Sequence, residues 1–213
     1  MPAVPLESLV TGARTLANMQ VGGPWAPDEW DAAINRSLEA FYVDCAAVNN
    51  TWKVSTTTLT ITDTAVPYQP LPATFMNVLK VTKDAGTAQR LPIPRSGDER
   101  VETGERTYRI EGNNLYIDPL EESVGVYELR YNPLPTTLTP AVPLDVELGQ
   151  HRQYFELHAA IQALASEQSS TSDLTPLFKL ALDRAQAWAR RQRSSDPVRP
   201  RDVRPRGIAR RIW

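Results

Sequence analysis

The sequence predicts an α+β fold: a helical body with a small antiparallel β-sheet inserted into it and an extended tail after it. Three observations predict it. Apolar residues recur at helical spacing in the N-terminal quarter, alternate singly across residues 52–132, and return to helical spacing over residues 147–193. The element order is therefore two helices, a sheet, two helices, then a tail of residues 194–213. There is no internal repeat. Residues 1–193 read as a single domain, and the last twenty residues as an arm outside it.

The first helix is predicted over residues 5–20. Leu6, Leu9/Val10, Ala13 and Leu16/Ala17 recur at helical spacing, and the "VGGP" that begins at Val21 stops the run. The second, over residues 27–47, has clear start signals. Pro27 suits a first turn, where its missing N–H would be unpaired anyway, and Asp28 and Glu29 place negative charge at the positive end of the helix dipole. Trp30, Ile34, Leu38, Phe41 and Cys45 share one stripe, which makes Cys45 a small core residue rather than a nucleophile.

Across residues 52–132 the pattern is that of strands. "STTTLTITD" is rich in β-branched residues, and a strand is expected from Val78 to Thr82 after the turn chemistry of "VPYQPLPATF". "RTYRIEGNNLYIDP" reads as a hairpin: Tyr108 and Ile110 alternate on one side, Leu115 and Ile117 on the other, with Gly112-Asn113-Asn114 as the turn. In "GVYELRYNPLP", Val126, Glu128 and Arg130 face one way and Tyr127, Leu129 and Tyr131 the other. One antiparallel sheet of about four to six strands is expected. After a Pro/Thr-rich connector, helices are predicted over residues 147–169 and 173–193. Tyr154, Leu157, Ile161, Leu164 and Gln168 are assigned to one face of the former. Leu174, Leu177/Phe178, Ala181/Leu182, Ala185 and Trp188 line the latter, and "SSTSD" between them supplies N-cap candidates. A connection this short makes the pair an antiparallel hairpin.

Composition narrows the function. At 213 residues, with 41% hydrophobic and 23% charged residues, the chain can bury an ordinary core. A single cysteine leaves no intrachain disulfide and fits a reducing compartment. There is no basic stretch followed by an apolar one at the N-terminus and no membrane-length apolar run, so a soluble, unprocessed protein is expected. No catalytic constellation emerges. His151 and His158 lie two turns apart on one predicted helix without an acidic or cysteine partner at metal-ligand spacing. No phosphate loop or nucleophile elbow is present, and Glu39, Asp44 and Glu121-Glu122 read as solvated surface. Neither an enzyme nor a cofactor or metal site is expected.

The tail is compositionally distinct. From Arg190 onward nine arginines face Asp196 and Asp202, a net charge of +7, which leaves a net −9 on the rest. Prolines 197, 200 and 205 exclude a continuous helix and favour extended backbone. A purely solubilising tail has no need of apolar anchors. Arg199, Arg201, Arg204, Arg206, Ile208, Arg210, Arg211, Ile212 and Trp213 are accordingly the candidate binding residues of a segment that orders on docking, with Trp and Arg as its natural hot spots.

The order of "AINRSLEAFY", "LTITDTAVPYQPLPATFMNVLKV", "YRIEGNNLYIDP" and "LRYNPLPTTLT" between two helical ends resembles the head-to-tail adaptor (head completion, or connector) proteins of tailed bacteriophages and gene transfer agents. The chain departs from that pattern at "PYQPLP", where Gln69-Pro70 precedes Leu71-Pro72 and a shorter form is usual; this bears on the local strand register. The resemblance implies a structural protein of the virion neck, assembled in the host cytoplasm. About 12 copies would form a ring below the portal protein. The C-terminal arm would dock in the portal, a downstream tail or nozzle protein would bind next, and DNA would pass through the channel without specific binding. An acidic body suits such a conduit, since like charge keeps a duplex off the wall. Other readings are a nucleic-acid-binding protein that uses the basic tail, which predicts steep salt dependence, and a tail-completion or stopper protein.

Overall fold

The structure, a computed structural model, describes residues 3–19, 24–84, 90–96, 106–119 and 123–192. Among them are helices α1 (Leu6–Leu16), α2 (Pro27–Val48), α3 (Arg152–Ser166) and α4 (Leu174–Arg191), with a 3₁₀ turn, Gly149–His151, leading into α3. Between α2 and the 3₁₀ turn run β1 (Ser55–Ile61), β2 (Tyr68–Pro70), β3 (Phe75–Asp84), β4 (Arg90–Ile93), β5 (Thr107–Glu111), β6 (Asn114–Asp118) and β7 (Gly125–Pro133). The fold is α+β, as the alternating periods predict. No helix among the described residues is long and apolar enough to cross a membrane.

The helices end for reasons the sequence reading did not use. α1 stops at Leu16, well before "VGGP", because Asn18 takes a left-handed conformation with φ of 53°. The N–H of Asn18 then donates to the Thr15 carbonyl (3.1 Å) and that of Met19 to the Arg14 carbonyl (3.0 Å), which closes the last turn. α3 ends the same way. Gln168 has φ of 54°, and the N–H groups of Gln168 and Ser169 donate to the carbonyls of Ala165 and Leu164. Gln168 is thus a terminator, not a member of the α3 apolar face. That face is Tyr154, Phe155, Leu157, Ala159, Ala160 and Ala163, with Leu164 partly buried against the same core, so of the predicted stripe Tyr154, Leu157 and Leu164 face inward and Ile161 lies at its edge. On α4, Leu177 is 44% exposed while Ala181, Ala185 and Ala189 are buried. Asp173 occupies the N-cap position of α4 without a side-chain bond; the Thr171 carbonyl takes the Leu174 and Thr175 N–H groups instead. α2 begins as predicted, with Pro27 in its first turn and the Glu29 carboxylate accepting the Ala26 N–H at 2.7 Å.

Phe41 of α2 lies at the centre of the helical core. Its ring centroid is 5.1 Å from Tyr154, 5.1 Å from Phe155, 5.3 Å from His151, 6.0 Å from Trp52 and 6.3 Å from Trp188. Trp30, Ile34, Leu38 and Cys45 complete the predicted α2 stripe, all buried.

The β region departs from one sheet. It holds a four-stranded sheet in the order β1-β7-β3-β4 and a three-stranded sheet in the order β2-β6-β5. All of these pairs are antiparallel. The two strands the alternation did not reveal, β2 and β4, each contain a proline and each lie on an edge, where a missing N–H costs no ladder bond. The inserted Gln69-Pro70 pairs with Leu115 and Asn114 of β6, so the departure from the expected pattern is a strand in its own right. Past β4 the chain bridges to β5 at Arg95 and Tyr108. The Tyr108 N–H donates to the Pro94 carbonyl (3.0 Å) and the Ser96 N–H to the Tyr108 carbonyl (2.7 Å). This link lets both sheets enclose one core of Leu59, Ile61, Val81, Leu115, Ile117 and the inward face of β7. That face is Tyr127, Leu129 and Tyr131, as predicted, and all three are buried. The β5–β6 turn is tighter than predicted. Asn114 already pairs with Glu111, and only Gly112, with φ of 58°, needs left-handed freedom.

Candidate functional site

The predicted binding residues of the arm, Arg199, Arg201, Arg204, Arg206, Ile208, Arg210, Arg211, Ile212 and Trp213, all lie outside the described residues. The structure does describe the root from which the arm leaves. Asn49, the residue after α2, donates from its side-chain amide to the carbonyls of Ala189 (2.7 Å) and Gln192 (3.0 Å) at the end of α4. Carbonyls at a helix end lack intrahelical partners, and Asn49 satisfies that of the C-cap Gln192 and adds a second bond to that of Ala189, which also takes the Gln192 N–H. Arg190 and Arg191 complement the negative end of the same helix. The arm therefore starts from a fixed point beside the α2 C-terminus.

A second asparagine joins the helical body to the β region. Asn132 of β7 is buried, and its Nδ2 donates to the carbonyls of Trp52 (2.9 Å) and Asn50 (3.0 Å), with Lys53 at 3.4 Å. Lys53 takes a left-handed conformation there, with φ of 50°, and its ammonium faces Glu147 at 3.4 Å and Asp145 at 3.8 Å. Sequence reasoning missed both Asn49 and Asn132. An asparagine next to a helix end or a proline reads as turn chemistry, and only the fold shows what its amide reaches.

One cluster superficially has the composition of a nucleophile, base and acid. Ser37 Oγ lies 3.0 Å from His158 Nδ1, and Asp44 is close enough to act on the His158 charge. The arrangement is structural. Ser37 is fully buried and donates to the Ala33 carbonyl at 2.7 Å, while Asp44 accepts the Tyr154 hydroxyl at 2.5 Å. Burial lowers the His158 pKa, with Asp44 opposing it, and burial also raises Tyr154. The Cys45 thiol is buried and pushed up to about 12, chiefly by desolvation, so it stays a thiol. No group of three or more metal-ligating side chains occurs among the described residues. What this cluster does is hold α2 against α3.

Two clefts open on the helical body, one toward each end of α2. Near the α2 N-terminus, Leu6, Val10, Arg14, Pro27 and Asp31 border a space of about 330 Å³. Beside the arm root, His151, Tyr154, Arg184, Trp188 and Arg191 border one of about 280 Å³. His151 has its pKa lowered by burial, and its buried Nε2 has no hydrogen-bond partner among the described residues. The cleft beside the arm root is lined by two cations and an indole, whereas the other mixes apolar residues with Arg14 and Asp31.

No curated protein matches the sequence. A family model does, over residues 5–201, a span that covers both helical ends, the whole β region and the first part of the arm. The chain belongs to the SU10 adaptor protein family, a family of bacteriophage adaptors.

Proposed function

We propose that this chain is a structural head-to-tail adaptor that forms a ring below the phage portal, docks there through residues 194–213, and continues the DNA channel toward the tail. The observation that carries the reading is the family match over residues 5–201, which runs past the end of α4 into the arm. The arm root supports it. A docking strap works best when its first residue is held and its remainder is free to conform, and Asn49 supplies the hold. Ordering a segment on binding costs entropy, but a ring repeats the contact in every copy, so modest affinity per arm becomes large avidity. On this reading the chain is a virion component whose partners are the portal protein, its own neighbours and the next tail protein, and it performs no catalysis.

The test is binding of the full-length chain to portal rings from the same particle. Trp213→Ala is expected to weaken binding by roughly 2 kcal/mol or more, as loss of a buried aromatic anchor does. Arg201→Ala is expected to cost under about 1 kcal/mol, since one solvated charge contributes little. Equal losses would contradict an anchored terminus, and absence of binding by the unmodified chain would contradict the adaptor reading itself.

A further inference from the structure

The two ends of α2 carry opposite chemistry. At its N-terminal end, Ala26, Pro27, Asp28 and Glu29 are all exposed, and Pro27 also borders the cleft there. Glu29 is occupied by the Ala26 N–H, but Asp28 has no cation partner among the described residues. Asp31 lies one turn further on, faced by Arg14, and the Asp28 and Asp31 charges repel each other. This is an exposed, acidic first turn that opens with a proline.

The cleft at the other end is the converse. Arg184, Trp188 and Arg191 fall at i, i+4 and i+7, so they line one face of α4 with the indole between two guanidinium groups. Among the described residues Arg184 makes no ion pair or side-chain hydrogen bond, and Arg191 only bonds back to the Ala187 carbonyl at 3.1 Å. Of the acidic groups near the opposite wall, Glu156 pairs with Arg152, Asp44 accepts the Tyr154 hydroxyl, and Asp145 and Glu147 are faced by Lys53. The cleft is therefore cationic, beside residues 1–189 with their net charge of −9, and its natural occupant is acidic. α2 has 22 residues, which separates its two ends by about 33 Å.

We infer that the first turn of α2 of one copy, with Pro27, Asp28 and Asp31, seats in the Arg184–Trp188–Arg191 cleft of the next copy. Guanidinium forks can take the two carboxylates, and the proline ring can lie on the indole. Because helix end and cleft sit at different places on the molecule, the contact is heterologous: each copy offers one of each, and repetition gives the ring of the proposed function where the rotation closes. The cleft includes Arg191, where α4 ends, so copies joined here also bring their arm roots to one edge of the ring. This identifies the faces behind the ring in the proposed function, and it rests on that reading.

The experiment uses full-length protein and portal rings from the same particle at a limiting ratio, with the copies bound per ring counted by native mass spectrometry. The unmodified chain is expected to leave rings either empty or full, because each bound copy recruits its neighbour. Arg184→Glu with Arg191→Glu, and separately Asp28→Arg with Asp31→Arg, are expected to fill rings at random and to need roughly tenfold more protein for half-occupancy, as expected for reversal of close charge pairs. An equal mixture of the two variants should restore the empty-or-full pattern, since the reversed cleft of one matches the reversed helix end of the other. Variants that still fill rings cooperatively, or a mixture that fails to recover although both variants melt like the unmodified chain, would overturn these faces. Failure of the unmodified chain to bind portal at all would instead remove the proposed function, and this inference with it.

Discussion

The helical body and the β region of this chain are held by different means. The helical core gathers around one aromatic residue: Phe41 touches rings contributed by α3, α4, the β1 approach and the 3₁₀ turn. The β core has no such centre. It is spread over the inward residues of two sheets that are joined through the Arg95–Tyr108 bridge. A core gathered on one ring is damaged by one substitution, whereas a distributed core loses little at any one site. The helical half is also where the arm is rooted and where both clefts open, so its rigidity bears directly on binding.

Phe41→Ala is the largest expected effect. Removing a fully buried phenyl from a close-packed site costs about 3–5 kcal/mol, which is read as a lower midpoint in denaturant. Trp30 and Trp52 are buried in the helical core, and Trp25 and Trp188 pack against it, so tryptophan fluorescence follows that half. A loss under about 1 kcal/mol would show that the aromatic cluster is not the centre of the core.

Asn132→Ala comes next, and it probes how the halves are joined. It takes the shared donor from the carbonyls of Asn50, Trp52 and Lys53 and is expected to cost about 1–3 kcal/mol. Tryptophan fluorescence and far-UV circular dichroism should coincide in the unmodified chain and move apart in the variant. Coincident transitions in both would mean that the halves are coupled by other contacts.

Gly112→Ala is milder and confined to the β region. The residue has φ of 58°, and an added Cβ meets no atom within 4 Å, so only backbone strain is introduced, about 1 kcal/mol. The midpoint is the measurement, and an unchanged one would show that the hairpin turn relaxes freely.

Acid should act mainly on the helical half, and modestly. Burial lowers the pKa of His151 and of His158 below the ordinary 6.5, so the unfolded chain binds more protons than the folded one in that range. Stability is full above pH 6.5 and falls as pH drops from there through the two lowered values. Asp31 and Glu156 oppose this, because burial raises both. His158→Gln should flatten the slope just below pH 6.5; an unchanged slope would remove that histidine from the account.

How much of this was legible in the sequence follows the same division. Helical stripes are local, so Trp30 through Cys45 could be placed on one face of α2 from spacing alone. The inward face of β7 was equally plain in its alternation. What escaped depended on distant partners. β2 and β4 are recognisable as strands only by what they pair with, and proline disguised both. Asn18 and Gln168 end helices by adopting a conformation that glycine usually marks. Asn49 and Asn132 act through amides that reach across the fold. The arm was the reverse case: its arginines, prolines and terminal tryptophan are what propose it as a binding segment, and the structure adds the α4 end from which it leaves.

The most direct test of the central claim compares the full-length chain with one that lacks residues 195–213, each sedimented with portal rings at moderate salt. The account predicts that both melt cooperatively and alike, since the sequence of the arm has too few apolar residues to build a core, and that only the full-length chain travels with the rings. If the shortened chain travels equally well, or if neither does and the full-length chain instead shifts duplex DNA in a salt-sensitive way, the arm is not a portal-docking strap.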